Sequence, residues 1–149
     1  MSRPAWLHSS VRPATPTSFT SWARAILSVQ YISFAWTTPA LLAGRKTVTR
    51  REWKDRHASR FHKGDLVTAY DKNPRFGGRP VATIQLTADP VKEMSNEVRI
   101  RDWEDEGFVY LVENSHLLNG KTPMGVWRDW ILDPRPLYVV RFQLDGPPK

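Results

Sequence analysis

Short alternating runs of apolar and β-branched residues, each cut off by glycine, proline or aspartate, set the narrowest limit on what this chain can fold into. VQYISFAW, TVTRR, LVTAY, VATIQLT and PLYVVRFQL follow one another between residues 29 and 144. Alternation with a period of two predicts strands. In the first run Tyr31 and Ser33 face one way, and Ile32 and Phe34 the other. Few of the intervening stretches are crossover helices, so a doubly wound parallel sheet is excluded. The expected class is α+β: a small, mixed, partly closed β-barrel with short helices capping its mouth.

The helices announce their ends. Thr38 followed by Pro39 predicts a start, a hydroxyl N-cap and then proline at the first helical position. PALLA supplies about a turn, and Gly44 stops it by taking the left-handed conformation cheaply. VRIRDWEDEGFVYLVENSHLL predicts a helix from about Ile100 that breaks at Gly107, and TPMGVWRDWILD a further short helix. KDRHASRFHK reads as a charged connector and KNPRFGGRP as a turn-rich loop. VATIQLTADPVKEM reads as a long strand bent near Pro90.

A length of 149 residues favours one domain, placed here at residues 29–145. Residues 1–28 differ from it: they are rich in Ser, Thr and Pro, carry Arg3, Arg12 and Arg24, and contain no acid. They are expected to be an extension outside the fold, either a disordered tail or upstream sequence from a misjudged start. A transit-type presequence, also Arg-rich and acid-poor, is the competing reading. The net charge of +7 points to a polyanionic partner, RNA ahead of a membrane surface. The absence of cysteine excludes a disulfide scaffold, a Cys-ligated metal and a Cys nucleophile. It fits a reducing compartment, and the expectation is a cytoplasmic monomer. No apolar run approaches the length of a membrane span.

Charge is segregated along the chain. Residues 45–63 are dominated by Lys and Arg, and residues 89–106 by Asp and Glu. In a small barrel these two segments can face each other across one cleft, or simply form two solvated faces. Within the basic segment, Lys46 stands at the helix–strand junction with Thr47 and Thr49. A lysine disfavoured in its charged form by burial or by neighbouring cations is a general base near neutral pH. Arg45, Arg50 and Arg51 are close enough in sequence to contribute. A threonine hydroxyl beside such a base is an activated nucleophile. Residues three apart on a strand point to opposite faces, so Lys46 and Thr49 converge only if Lys46 lies on the turn before the strand. Glu106, just ahead of the helix break at Gly107, is the acid best placed to enter a cleft. Trp36, Trp53 and Tyr70 lie near basic residues, as do Trp103 and Trp127. Aromatic faces stack on bases while Arg and Lys meet phosphate. With Lys72, the first three aromatics and Arg45, Arg50 and Arg51 form the candidate nucleic-acid contacts. Of the four histidines, His57 and His62 stand five apart with no third ligand, so no metal and no cofactor are expected.

ISFAWTTPALLAGRKTVTRREW, then FHKGDLVTAY, VATIQLT and DWEDEGF, resemble in order the ASCH family, a relative of the PUA domain. The pair formed by the G-R-K-T-x-T segment and the later K-G-D carries most of the resemblance. It implies a PUA-like barrel whose cleft faces RNA or a nucleotide. Some members look like amidohydrolases that remove the acetyl group of N4-acetylcytidine with a lysine, a threonine and a glutamate. The lysine falls on Lys46, the threonine on Thr49 and the glutamate, more loosely, on Glu106. Other members look like ribonucleases. Two departures point to a different or larger ligand: Arg50 stands where an apolar residue is usual, and the KNPRFGG loop and the Trp-rich segment near residue 127 are additions. Three readings stay open: an amidohydrolase on a modified nucleoside, a non-catalytic RNA-binding module, and a metal-independent ribonuclease.

Overall fold

The computed structural model describes residues 30–149, and the expectations for residues 1–28 lie outside it. Among these residues six strands and five short α-helices follow in chain order: β1 (Tyr31–Ser33), α1 (Thr38–Leu42), β2 (Val48–Arg51), α2 (Asp55–Ala58), β3 (Leu66–Tyr70), β4 (Pro80–Leu86), β5 (Val91–Met94), α3 (Arg101–Asp105), α4 (Phe108–Glu113), α5 (Pro123–Leu132) and β6 (Pro136–Gly146). The strands form one mixed sheet in the order β1-β3-β4-β6-β2, with β5 also paired to β6. Only β1 and β3 run parallel; the other pairs are antiparallel. The protein is therefore α+β, but the sheet is open rather than a partly closed barrel: β1 and β2 end the path of paired strands without meeting.

Strand β6 organises the sheet. Its first half pairs with β5, Val139 opposite Val91, and its second half with β4, Phe142 opposite Leu86. The long strand predicted to bend near Pro90 is thus two strands laid against successive halves of β6. On β6's other side Val48 to Arg51 of β2 lie opposite Arg141 to Tyr138. The first predicted strand is shorter than its alternation implies. After Ser33 the chain turns through a 3-10 segment, Ala35–Thr37, with Ala35 at φ 44. Its face assignment holds, with Ile32 and Phe34 buried. Helix α1 begins one residue earlier than its N-cap signal predicts. Thr37 takes the N-cap position, its hydroxyl donates to the Phe34 carbonyl at 2.8 Å, and the Thr38 hydroxyl is buried without a partner.

Two cores meet at α1. Leu41 joins Ile32, Val67, Ile84 and Phe142 against the sheet. Its neighbour Ala40 joins Phe108, Leu111, Trp130 and Leu137 among the later helices. Trp103 and Trp127 pack against that second core, with ring centroids 5.4 Å apart. Trp53 packs against the first core, stacked on Phe61 at 4.6 Å. Apolar packing of this kind stabilises by roughly 25 cal/mol per Å² removed from water.

Gly107 joins α3 to α4 at φ 86. A Cβ there would stand 2.6 Å from the Ala40 Cβ and 3.2 Å from the Lys46 Cβ. Gly107→Ala is expected to lose about 2–5 kcal/mol of stability in urea unfolding, combining a left-handed residue with an overpacked contact. A loss below about 1 kcal/mol would show that α4 can shift away from α1.

Candidate active site

Local backbone chemistry puts Lys46 where it is. Helix α1 closes with Gly44 at φ 73. The Gly44 N–H donates to the Leu41 carbonyl at 2.9 Å and the Arg45 N–H to the Ala40 carbonyl at 2.9 Å. This pair of bonds is a Schellman closure. Lys46 follows on the turn ahead of β2, which is the placement that convergence with Thr49 requires. The Thr47 N–H is then tied to the Asp105 carbonyl at 2.7 Å. That bond brings the end of α3, and with it Glu106, against the turn.

The three residues meet in a cleft of about 270 Å³ between the two cores. Lys46, Thr49 and Glu106 all line it, and all are buried, at 2%, 4% and 2% exposure. Lys46 Nζ donates to the Glu106 carboxylate, Oε1, at 3.0 Å and to the Glu106 carbonyl at 3.0 Å. Arg50 Nη1 donates to the other oxygen of that carboxylate, Oε2, at 2.7 Å. Arg50 Nη2 donates to Asp102 at 2.6 Å, and Arg141 grips Asp102 from the far side at 3.0 and 3.1 Å. The basic and acidic segments thus do face each other, as a ladder of direct pairs: Lys46, Glu106, Arg50, Asp102, Arg141.

Burial is the largest influence on Lys46. It pushes the ammonium below its ordinary value of 10.5, against the Glu106 carboxylate, which raises it, and with help from Arg51 and Arg50. Asp102 behaves in the opposite manner. Burial alone raises its carboxyl, but hydrogen bonds and charge from Arg141 and Arg50 outweigh that and hold it below 3.8. Arg51 Nε donates to the Thr49 hydroxyl oxygen at 3.1 Å. That bond leaves the Thr49 proton free to be donated. The Arg51 guanidinium lies 5.4 Å from the Phe34 ring centroid, and burial lowers it to about 10.

Of the residues proposed from sequence to contact nucleic acid, Arg50, Arg51 and Trp36 line the cleft, but only Trp36 is well exposed, at 57%. The other four lie elsewhere. Arg45 points away and pairs with Glu104 and Glu113. Trp53 is occupied by Phe61 and His57. Tyr70 packs edge-on against Tyr31 at 5.5 Å. Lys72 is exposed in the turn after β3. Sequence reasoning missed Asp102 and Arg141 as the pair behind Arg50, and Phe108 and Trp130 as apolar walls of the cleft. Only the excess of acids at 102–106 hinted at the first. Among the described residues no group of three or more His, Asp or Glu is arranged to hold a metal, and no helix is long and apolar enough to cross a membrane.

Fold and site define an α+β protein with an open mixed sheet and a cleft floored by paired buried charges. No family model matches the chain, and no curated protein matches it. Among solved structures it is similar to the crystal structure of protein EF3133 from Enterococcus faecalis V583, of family DUF984. The likeness has a TM-score of 0.50 at 16% sequence identity, over 86% of this chain and 92% of that one. At this identity the likeness is one of fold.

Proposed function

We propose that the cleft hydrolyses an amide on a modified nucleoside of the N4-acetylcytidine type, and that the chain is an ASCH-like protein with an opened PUA-like sheet. The observation that carries this reading is the burial of Lys46 against Glu106, beside the Thr49 hydroxyl, in one ligand-sized cleft. A lysine that serves as a phosphate grip needs an exposed, charged ammonium. Lys46 is buried and its charged form is disfavoured, which favours a base over a grip.

In the proposed reaction neutral Lys46 takes the Thr49 proton, and the Thr49 oxygen attacks the acyl carbonyl. The C–N bond breaks, and the proton passes from Lys46, with Glu106 as shuttle, to the leaving exocyclic amine. Water attacks the resulting threonyl ester with Lys46 again as base, releasing acetate and restoring Thr49. Both hydrogen bonds that Lys46 Nζ makes in the free protein go to Glu106. Proton transfer therefore needs a small swing of Nζ or one bridging water, and such contacts commonly tighten once substrate is bound. Arg45 takes no part in stabilising the oxyanion, because its guanidinium is held by Glu104 and Glu113.

The test is conversion of N4-acetylcytidine to cytidine by purified protein, followed by chromatography, with Lys46→Ala as control. Conversion lost in the variant supports the reading. No conversion by the wild type of N4-acetylcytidine, of its 5′-monophosphate or of an N4-acylcytidine whose acyl group ends in a carboxylate removes it. Trp36 supplies an independent check. Trp36→Ala is expected to change stability by no more than about 0.5 kcal/mol, since the ring is exposed. It should weaken nucleoside binding by about 1–3 kcal/mol if the ring stacks on the base. Unchanged affinity would remove Trp36 from the site.

A further inference from the structure

The cleft is lined by three cationic side chains and one carboxylate, Glu106. Two of the cations are spent on that carboxylate: Lys46 on one oxygen, and Arg50 on the other and on Asp102 behind it. Arg51 is the one left over. Among the described residues no carboxylate lies within salt-bridge distance of it, although Arg45, Arg50 and Arg141 each have one. Among the described residues the only hydrogen bond of its guanidinium runs from Nε to Thr49, so the two terminal nitrogens, with four N–H donors between them, have no partner there. The ring of Phe34 on one side and the Thr49 bond on the other fix the plane of the guanidinium. A half-buried, oriented and unpaired arginine fork is matched by a planar or tetrahedral oxyanion.

We propose that Arg51 is the anion-recognition residue of the cleft, so that its ligands carry a carboxylate or phosphate group that the guanidinium grips through its terminal nitrogens. This rests on the nucleoside reading only for the rest of the ligand. The charge argument stands without it. Within that reading it specifies the substrate as an acylated nucleotide, with the anion on the phosphate, or as a nucleoside whose acyl group itself ends in a carboxylate. The plain acetylated nucleoside, being neutral, would leave Arg51 unpaired and would be a poor substrate.

Calorimetric titrations of the full chain with three non-hydrolysable probes separate the sources: cytidine, cytidine 5′-monophosphate and N4-carboxymethylcytidine. One of the two anions is expected to bind about tenfold or more tightly than cytidine, equivalent to about 1.4 kcal/mol. The advantage should vanish in Arg51→Met and survive in part in Arg51→Lys. A phosphate preference assigns the nucleotide and a carboxymethyl preference the acyl carboxylate. Inorganic phosphate tests the anion site apart from the nucleoside. It should shift the Arg51 Nε–H resonance in a saturable manner, identified by the loss of that signal in Arg51→Met. If the cytidine probes fail but phosphate shifts Arg51, the nucleoside reading falls and the anion site stands. Saturable binding of neither anion at Arg51, or an anion preference that persists in a folded Arg51→Met variant, overturns the proposal.

Discussion

Arg50→Met should lose about 3–5 kcal/mol of stability, because it leaves two buried carboxylates short of a partner. The side chains involved are almost fully covered: Arg50 and Glu106 each retain 3% exposure and Asp102 retains 1%. Methionine fills similar space, so the loss reports charge rather than a cavity. The effect also has a pH signature. Asp102 has a folded-state carboxyl held below its ordinary value. The stability it contributes is therefore complete above the unfolded carboxylate value of about 3.9 and is lost as pH falls through the lower folded value. Removing Arg50 withdraws a hydrogen bond and a charge that hold that value down, so the part of the acid-induced loss that Asp102 causes should be smaller in the variant and complete at higher pH. Urea unfolding between pH 3 and pH 7 measures both effects. Adding Asp102→Asn to Arg50→Met should restore part of the loss, and a double-mutant cycle gives the coupling. Identical pH curves for wild type and Arg50→Met would mean that the Arg50–Asp102 pair does not govern stability in solution.

Lys46→Arg should lower kcat for amide hydrolysis by about 10²–10⁴-fold, because arginine keeps the positive charge and cannot serve as a base in the working pH range. In the wild type, activity should rise with pH through the lowered Lys46 value and level off before 10.5. Glu106 raises that value by charge and hydrogen bond. Residual activity in Glu106→Gln should therefore show its rising limb at lower pH than the wild type. The same linkage acts on folding. Between the folded Lys46 value and the unfolded value of about 10.4, the unfolded chain binds more protons, so this group makes stability grow with pH there. Retained turnover in Lys46→Arg would exclude Lys46 as the base, and a pH profile unmoved in Glu106→Gln would uncouple the pair.

Strands β3, β4 and β6 were legible because each alternates cleanly and ends on a turn signal. The helix break at Gly107 and the helix stop at Gly44 were legible because a positive φ restricts the choice of residue. The open sheet was not, since β1 is only three residues long and nothing local says which strand lies at an edge. At the site, the sharing of one cleft by Lys46 and Thr49 could be read from the turn that carries Lys46 ahead of β2. The Arg50–Asp102 contact spans 52 residues and the Lys46–Glu106 contact 60, so no local pattern encodes either. Residue type alone ranked Arg45, Trp53, Tyr70 and Lys72 with the true cleft residues. Folding separates them, because a side chain's direction depends on the element that carries it. The side chains of Lys46 and Arg50, both charged, retain only 1% and 3% exposure.

Strand β2, which carries Thr49, has no sheet partner other than β6 among the described residues. During synthesis the Lys46 turn and β2 are made early and must wait until residues 136–146 have been added. At about 5–20 residues per second that wait lasts several seconds. Through it, Val48 and the arginines beside it are open to solvent, to chaperones and to the unpaired edges of other nascent chains. The cleft's residues are thus made before the strand that holds β2 in place.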